Sequence, residues 1–273
     1  INHDQLHHPW QNHYLLKLYH IIPDMQREFA WQTNSGTKHV KKLWNDLLEY
    51  TKNGVNDYYY TGTLICYKEK DKWFVIDGQQ RITTISLLFI AIRDVLDKEW
   101  AKNKETTIEF KGEILGCNEF TNQMVNLTIG NSKSPRLMPK MYGEKKANKN
   151  SQVYHWLMKT PREDPKGGIG NPTIRTNQAY NFLKGEIKKN FNDLITPKDV
   201  QDIANFTEHL LDGVVFNRTE VRDMAQGYRI FSSENTTGLK LNHLDITRAL
   251  ILAQIDRKEP VSYTHLRAHE TRG

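Results

Sequence analysis

Cysteine is scarce in this chain: Cys66 and Cys117 are the only two among 273 residues. Two thiols so far apart make neither a disulfide framework nor a structural zinc cluster, whose ligands come in closely spaced pairs, and a reducing cytosol is the expected compartment. Long hydrophobic runs are missing as well. The longest apolar stretch, Ile85 to Ile92, already contains Ser86 and stops at Arg93, far short of the roughly 20 residues that a membrane-spanning helix needs. No Gly-Lys dipeptide occurs, which excludes a Walker A loop, so any nucleotide must be held in another way. His3, His7, His8 and His13 cluster without a His-Glu-x-x-His motif and read as a solvated tail. What remains, with 38% hydrophobic residues and 16 glycines, is enough for one large domain or two small ones with an ordinary core.

Charge is unevenly placed. The chain carries 38 Lys+Arg against 32 Asp+Glu, a net of +6, but residues 133–190 alone hold 13 against 4, a net of +9, which leaves −3 elsewhere. A basic middle on a near-neutral chain points to a polyanion such as DNA, with Lys140, Lys145, Lys146 and Lys149 as the candidate phosphate contacts. The alternative is a solvated, lysine-rich insertion. The chain begins at Ile1 without methionine, so a missing natural N-terminus is expected. Residues 260–273 break off abruptly from a helical pattern, read as translated adapter sequence, and are set aside from fold reasoning.

Val40, Leu43/Trp44 and Leu47/Leu48 recur at three and four residues, which predicts a helix over 36–53 stopped by Asn53-Gly54. The aromatic and β-branched runs 58–67 and 73–76, joined by the charged stretch 68–72, predict a hairpin. Ile82, Ile85, Leu88/Phe89, Ile92 and Val95/Leu96 then predict a long amphipathic helix packed on it. From 98 to 172 the pattern weakens into polar runs and a glycine-rich loop around Gly167-Gly168, with one short helix over 153–158. Beyond Pro172, helical faces recur at 180–191 and 200–211, followed by a strand at 214–216 and helices over 224–232 and 241–255.

The most informative stretch is Val75-Ile-Asp77-Gly78-Gln79-Gln80-Arg81-Ile-Thr83-Thr84, where a strand runs into a glycine and then a helix. Free N–H groups at such a helix start favour an anion, and glycine lets a phosphate approach the backbone. Arg81 adds a planar fork of donors for phosphate oxygens, and Asp77 is placed to hold a metal ion or orient a water. The alternative is that Asp77 caps the helix while Gln79, Gln80 and Arg81 are solvated. The triplets Glu109-Phe-Lys111, Glu144-Lys-Lys146 and Glu186-Ile-Lys188 superficially suggest a metal nuclease, but no placed acid-base partner accompanies them.

Three further boxes accompany this one in order: Ile22-Pro23-Asp-Met25-Gln26-Arg27, then Tyr60-Thr61-Gly62-Thr63-Leu64, and after the junction Phe231-Ser-Ser-Glu234-Asn235-Thr-Thr-Gly238 running to Leu241 and Asp245. With all four present over about residues 19–255, the chain resembles the GmrSD N-terminal domain family. It departs from the family pattern at Met25, where an aromatic is usual, and at Glu234, where an apolar residue is typical.

The resemblance implies an α+β fold: a ParB/sulfiredoxin-like core of a small mixed sheet with helices, followed by a mainly helical region. On that reading 1–97 is the nucleotide-binding core, 98–172 a basic, loop-rich insertion and 173–259 the helical remainder of the same domain. It also implies a domain that binds and hydrolyses a nucleoside triphosphate, with Mg2+ or a similar divalent ion, in a modification-dependent restriction and phage-defence protein. DNA and an HNH-type nuclease domain would be its partners. Carried over by position, Asp77, Gln79 and Gln80 are the expected catalytic residues, and Asp77 is the expected metal ligand. Gln26, Arg27, Gly78, Arg81 and Thr83 are expected to hold the nucleotide. The alternative function is a non-enzymatic, ParB-type DNA-binding module switched by nucleotide.

Overall fold

The computed structural model describes residues 6–7, 19–22, 28–33, 38–52, 58–70, 72–100, 106–129, 137–139, 149–159, 163–164, 166, 168–194 and 196–234. In chain order, strands β1 (Leu6–His7) and β2 (Tyr19–Ile22) precede helix α1 (His39–Lys52). The hairpin β3 (Tyr59–Glu69) and β4 (Lys72–Asp77) runs into α2 (Gln79–Trp100). A second hairpin, β5 (Thr107–Phe110) and β6 (Glu113–Gly116), leads to α3 (Cys117–Ile129), β7 (Leu137–Pro139) and α4 (Lys149–Met158). Then follow α5 (Arg175–Asn190), α6 (Pro197–Gly213), β8 (Val214–Val221) and α7 (Met224–Glu234).

Six strands form one mixed sheet in the order β1-β8-β3-β4-β2-β7, which makes the molecule α+β as its sequence implies. β3 and β4 pair antiparallel, whereas β3–β8, β4–β2 and β2–β7 pair parallel. The hairpin turn is tighter than the charged stretch predicts, because Lys68 and Glu69 pair with Trp73 and Lys72 before Lys70 turns at φ 54°. Both faces of the sheet centre are covered. Leu64, Cys66, Trp73 and Val75 face the main core, while Ile65, Ile76 and Val221 face α7 through Met224 and Tyr228. Such double coverage explains the unbroken apolar run Leu64-Ile65-Cys66. Gly227 brings α7 against β4, since a Cβ there would lie 2.0 Å from Ile76 Cδ1.

Helix α2 differs from its expected amphipathic form. Every residue from Leu87 to Leu96 is buried, the paired Arg93 and Asp94 included, so the helix is enclosed rather than one-sided. It runs through a core to which α1, α3, α4, α5 and α6 all contribute. The stretch 98–172, read from sequence as loop-rich, supplies β5, β6, α3, β7 and α4. Its Ile108, Phe110, Phe120, Val153 and Leu157 join the main core, and strands of four residues are too short to show a period in the sequence. Helix α6 starts sharply at a capping box, in which Thr196 and Asp199 each accept from the other's backbone N–H, with Pro197 in the first turn. The Thr196 hydroxyl and N–H hold the Asp199 carboxyl below its usual range.

Candidate functional site at the strand-to-helix junction

β4 ends at Asp77, Gly78 turns the chain, and α2 begins at Gln79. Gly78 has φ +88°, and a Cβ there would meet Leu64 Cδ1 at 2.9 Å and the Thr63 carbonyl at 3.2 Å. Glycine is therefore required by both backbone conformation and the approach of β3. The Gly78 carbonyl accepts the first helical bond from Ile82 N–H at 3.0 Å, so the positive end of the α2 dipole lies at the junction.

Arg81 lies over a bulge in β3. Tyr60 pairs with Val215 and Thr63 with Asn217, so Thr61 and Gly62 stand where β8 has Phe216 alone. Gly62 has φ +106°, and a Cβ there would sit 3.0 Å from the guanidinium carbon of Arg81. The absent side chain is the space the guanidinium occupies. Arg81 Nη1 donates to the Thr63 carbonyl at 3.0 Å. Loss of water pulls its pKa below the usual value, with the charges of Asp77, Tyr60 and Tyr59 acting in the opposite direction. An arginine remains cationic even so. Nearby, Tyr59 donates to Asp46 at 3.2 Å, and burial, reinforced by Asp46, pushes its phenol up to about 12. Asp46 also pairs with Lys42 at 2.7 Å.

Gln80 faces the opposite way. Its Oε1 accepts from Ala30 N–H at 2.7 Å and Trp31 N–H at 3.3 Å, and its Nε2 donates to the Glu28 carbonyl at 3.2 Å. Arg175 Nη1 donates to the Ala30 carbonyl. Asn150 donates to the Glu28 carboxylate at 2.8 Å while accepting from Thr176. Helices α2, α4 and α5 thus fasten the segment that follows the first sequence box.

A family model described as GmrSD restriction endonuclease, N-terminal domain, matches residues 11–252. The chain belongs to that family. No curated protein matches the chain. Membership in the GmrSD N-terminal domain family makes this a domain of restriction and phage-defence proteins, systems that act on DNA. Among the described residues no helix is long and apolar enough to cross a membrane.

Within this GmrSD domain the structure brings Asp77, Gly78, Gln79, Gln80, Arg81 and Thr83 together at one junction. Gln79, Gln80 and Thr83 are buried, whereas Asp77, Gly78 and Arg81 are partly exposed. Gln26 and Arg27 lie outside the described residues, as do Lys140, Lys145, Lys146, the 235–238 turn, the 241–255 helix and the 260–273 tail. Lys149 is exposed at the first position of α4. Among the described residues no three His, Cys, Asp or Glu side chains come together as a metal cage. Asp77 is the carboxylate at the junction that could ligate a divalent ion, since Mg2+ is commonly held through one or two carboxylates. Cys66 is fully buried and its thiol is pushed up to about 12 by burial, which removes it as a nucleophile.

Sequence reasoning missed the parts played by Gly62, Thr63 and Arg175. A glycine inside a strand pattern is a bulge signal, so Gly62 was open to discovery. Arg175 reaches Ala30 across 145 residues, and no local pattern announces such a contact.

Proposed function

We propose that this domain binds a nucleoside triphosphate at the Asp77–Arg81 junction and hydrolyses it, as the sensor part of a modification-dependent restriction protein. The observation that carries the reading is Arg81: a largely desolvated cation whose hydrogen bond among the described residues is to one backbone carbonyl. A half-buried cation with one acceptor among the described residues favours an incoming anion. The positive end of the α2 dipole adds to the same attraction.

In this mechanism Arg81 and the α2 start hold the phosphates, and Gln79 and Thr83 close the inner wall. Gln80 keeps the 28–31 segment against the site. Asp77 orients the attacking water: its oxygen bonds to the terminal phosphorus, the bond to the bridging oxygen breaks, and the water's proton passes to the carboxylate. A divalent ion, when bound, neutralises phosphate charge there, with Asp77 as its protein ligand. Gln26 and Arg27 complete the phosphate shell, and Lys140, Lys145, Lys146 and Lys149 contact DNA. An HNH-type nuclease domain in cis or in trans makes the cut, and the core is of ParB/sulfiredoxin type.

Two variants test this. Arg81→Ala weakens nucleotide binding by about 1.5–3 kcal/mol, the worth of a charge-assisted hydrogen bond. Asp77→Ala spares most affinity and abolishes phosphate release. Calorimetric titration showing wild-type affinity in Arg81→Ala overturns the assignment. Tight binding with no phosphate release from the wild-type chain favours instead a nucleotide-switched, non-enzymatic module.

A further inference from the structure

Among the described residues the exposed large apolar side chains are Tyr58 at 49%, Tyr60 at 51% and Ile114 at 77%. Ile114 stands alone on the β5–β6 hairpin, whereas both tyrosines stand where β3 enters the Arg81 bulge. Isolated exposed apolar residues need no explanation. Tyr60 differs because it is held. Its hydroxyl shares a hydrogen bond with Thr63 Oγ1 at 3.2 Å, and the carbonyl of the same Thr63 accepts from Arg81 at 3.0 Å. Ring and cation are therefore tied to one residue, the ring through its side chain and the cation through its backbone. Only Thr61 separates Tyr60 from Gly62, against which the Arg81 guanidinium lies.

We propose that Tyr60 is the base platform of this site, a proposal that rests on the nucleotide reading above. Arg81 takes the phosphates, and the exposed face of Tyr60 stacks on the base. A tyrosine ring supplies contact area at little conformational cost, and stacking accepts any base because every base has a π-face. Tyr60 therefore selects nucleotides over inorganic polyphosphate and contributes little to the choice among bases.

The test titrates the full chain with each of the four ribonucleoside triphosphates and with inorganic tripolyphosphate, comparing wild type, Tyr60→Leu and Tyr60→Phe. Tyr60→Leu weakens the nucleotides about ten- to a hundredfold, the range for one base–aromatic stack, and leaves tripolyphosphate binding as in wild type. Tyr60→Phe keeps the ring and loses its tie to Thr63, so nucleotide affinity falls far less than in Tyr60→Leu, which separates loss of stacking from loss of fold. Wild-type nucleotide affinity in Tyr60→Leu, or equal loss of both ligands, overturns the platform while Arg81 stands as a phosphate site. A wild-type chain that binds neither ligand overturns the nucleotide reading and this proposal together.

Discussion

Helix α2 carries two arginines in opposite circumstances. Arg93 is 2% exposed, and its charge is met on several sides: Asp94 accepts at 2.9 Å, and the Leu157 and Met158 carbonyls accept at 2.8 and 3.2 Å. Asp94 in turn accepts from Tyr180 at 2.6 Å. Those carbonyls are the last two of α4, so the guanidinium caps that helix as well as pairing a carboxylate. Arg81, in the first turn of the helix, has the Thr63 carbonyl, the field of Asp77, and a glycine bulge to lie in. Arg93 has left water and Arg81 is half-buried. One is answered by the fold and holds three helices together, and the other, among the described residues, is answered by one backbone carbonyl. That difference in completeness, more than burial or residue type, separates a structural arginine from a candidate ligand-binding one.

The comparison breaks most visibly at Asp94. Asp94→Ala leaves Arg93 charged and buried without its carboxylate, so stability falls by about 3–5 kcal/mol, read from the midpoint of urea unfolding. Arg81→Ala, at a cation with fewer protein partners, costs clearly less on the same scale. Equal losses would mean that Arg81 is as structural as Arg93.

A smaller change sharpens the other side. Gly62→Ala forces a Cβ into φ +106° and 3.0 Å from the Arg81 guanidinium. The backbone strain costs about 1–3 kcal/mol, and displacement of Arg81 weakens nucleotide binding in the same variant. If calorimetry finds binding unchanged, the bulge does not position the cation.

The smallest effect is one of pH. The Tyr59 phenol is raised from 10.0 to about 12 in the fold, so the folded state keeps a proton that the unfolded chain gives up. Its contribution to stability is full below about pH 10 and is lost as pH rises towards 12. Tyr59→Phe should flatten the alkaline decline in unfolding free energy over that interval, whereas Tyr180→Phe should instead lower stability across the whole range by removing a hydrogen bond from Asp94. Identical pH profiles for Tyr59→Phe and wild type would mean that burial and Asp46 do not hold the phenol protonated.

Sequence alone determined the helix-hairpin-helix order of 39–100 and the strand-to-helix turn at Gly78, because periodicity, turn chemistry and glycine placement are local properties. The same locality explains what it left open. Periodicity in 79–96 marks one apolar face, but only tertiary packing shows that the opposite face is enclosed too, with Arg93 and Asp94 inside it. Gln79, Gln80 and Arg81 are neighbours in a single motif. Yet Gln80 turns inward to Ala30, 50 residues away, and Arg81 turns onto a bulge 18 residues away. A helix rotates successive side chains by about 100°, so adjacent residues meet different elements, and which elements those are depends on the register between β3 and β8. That register exists only in the folded molecule.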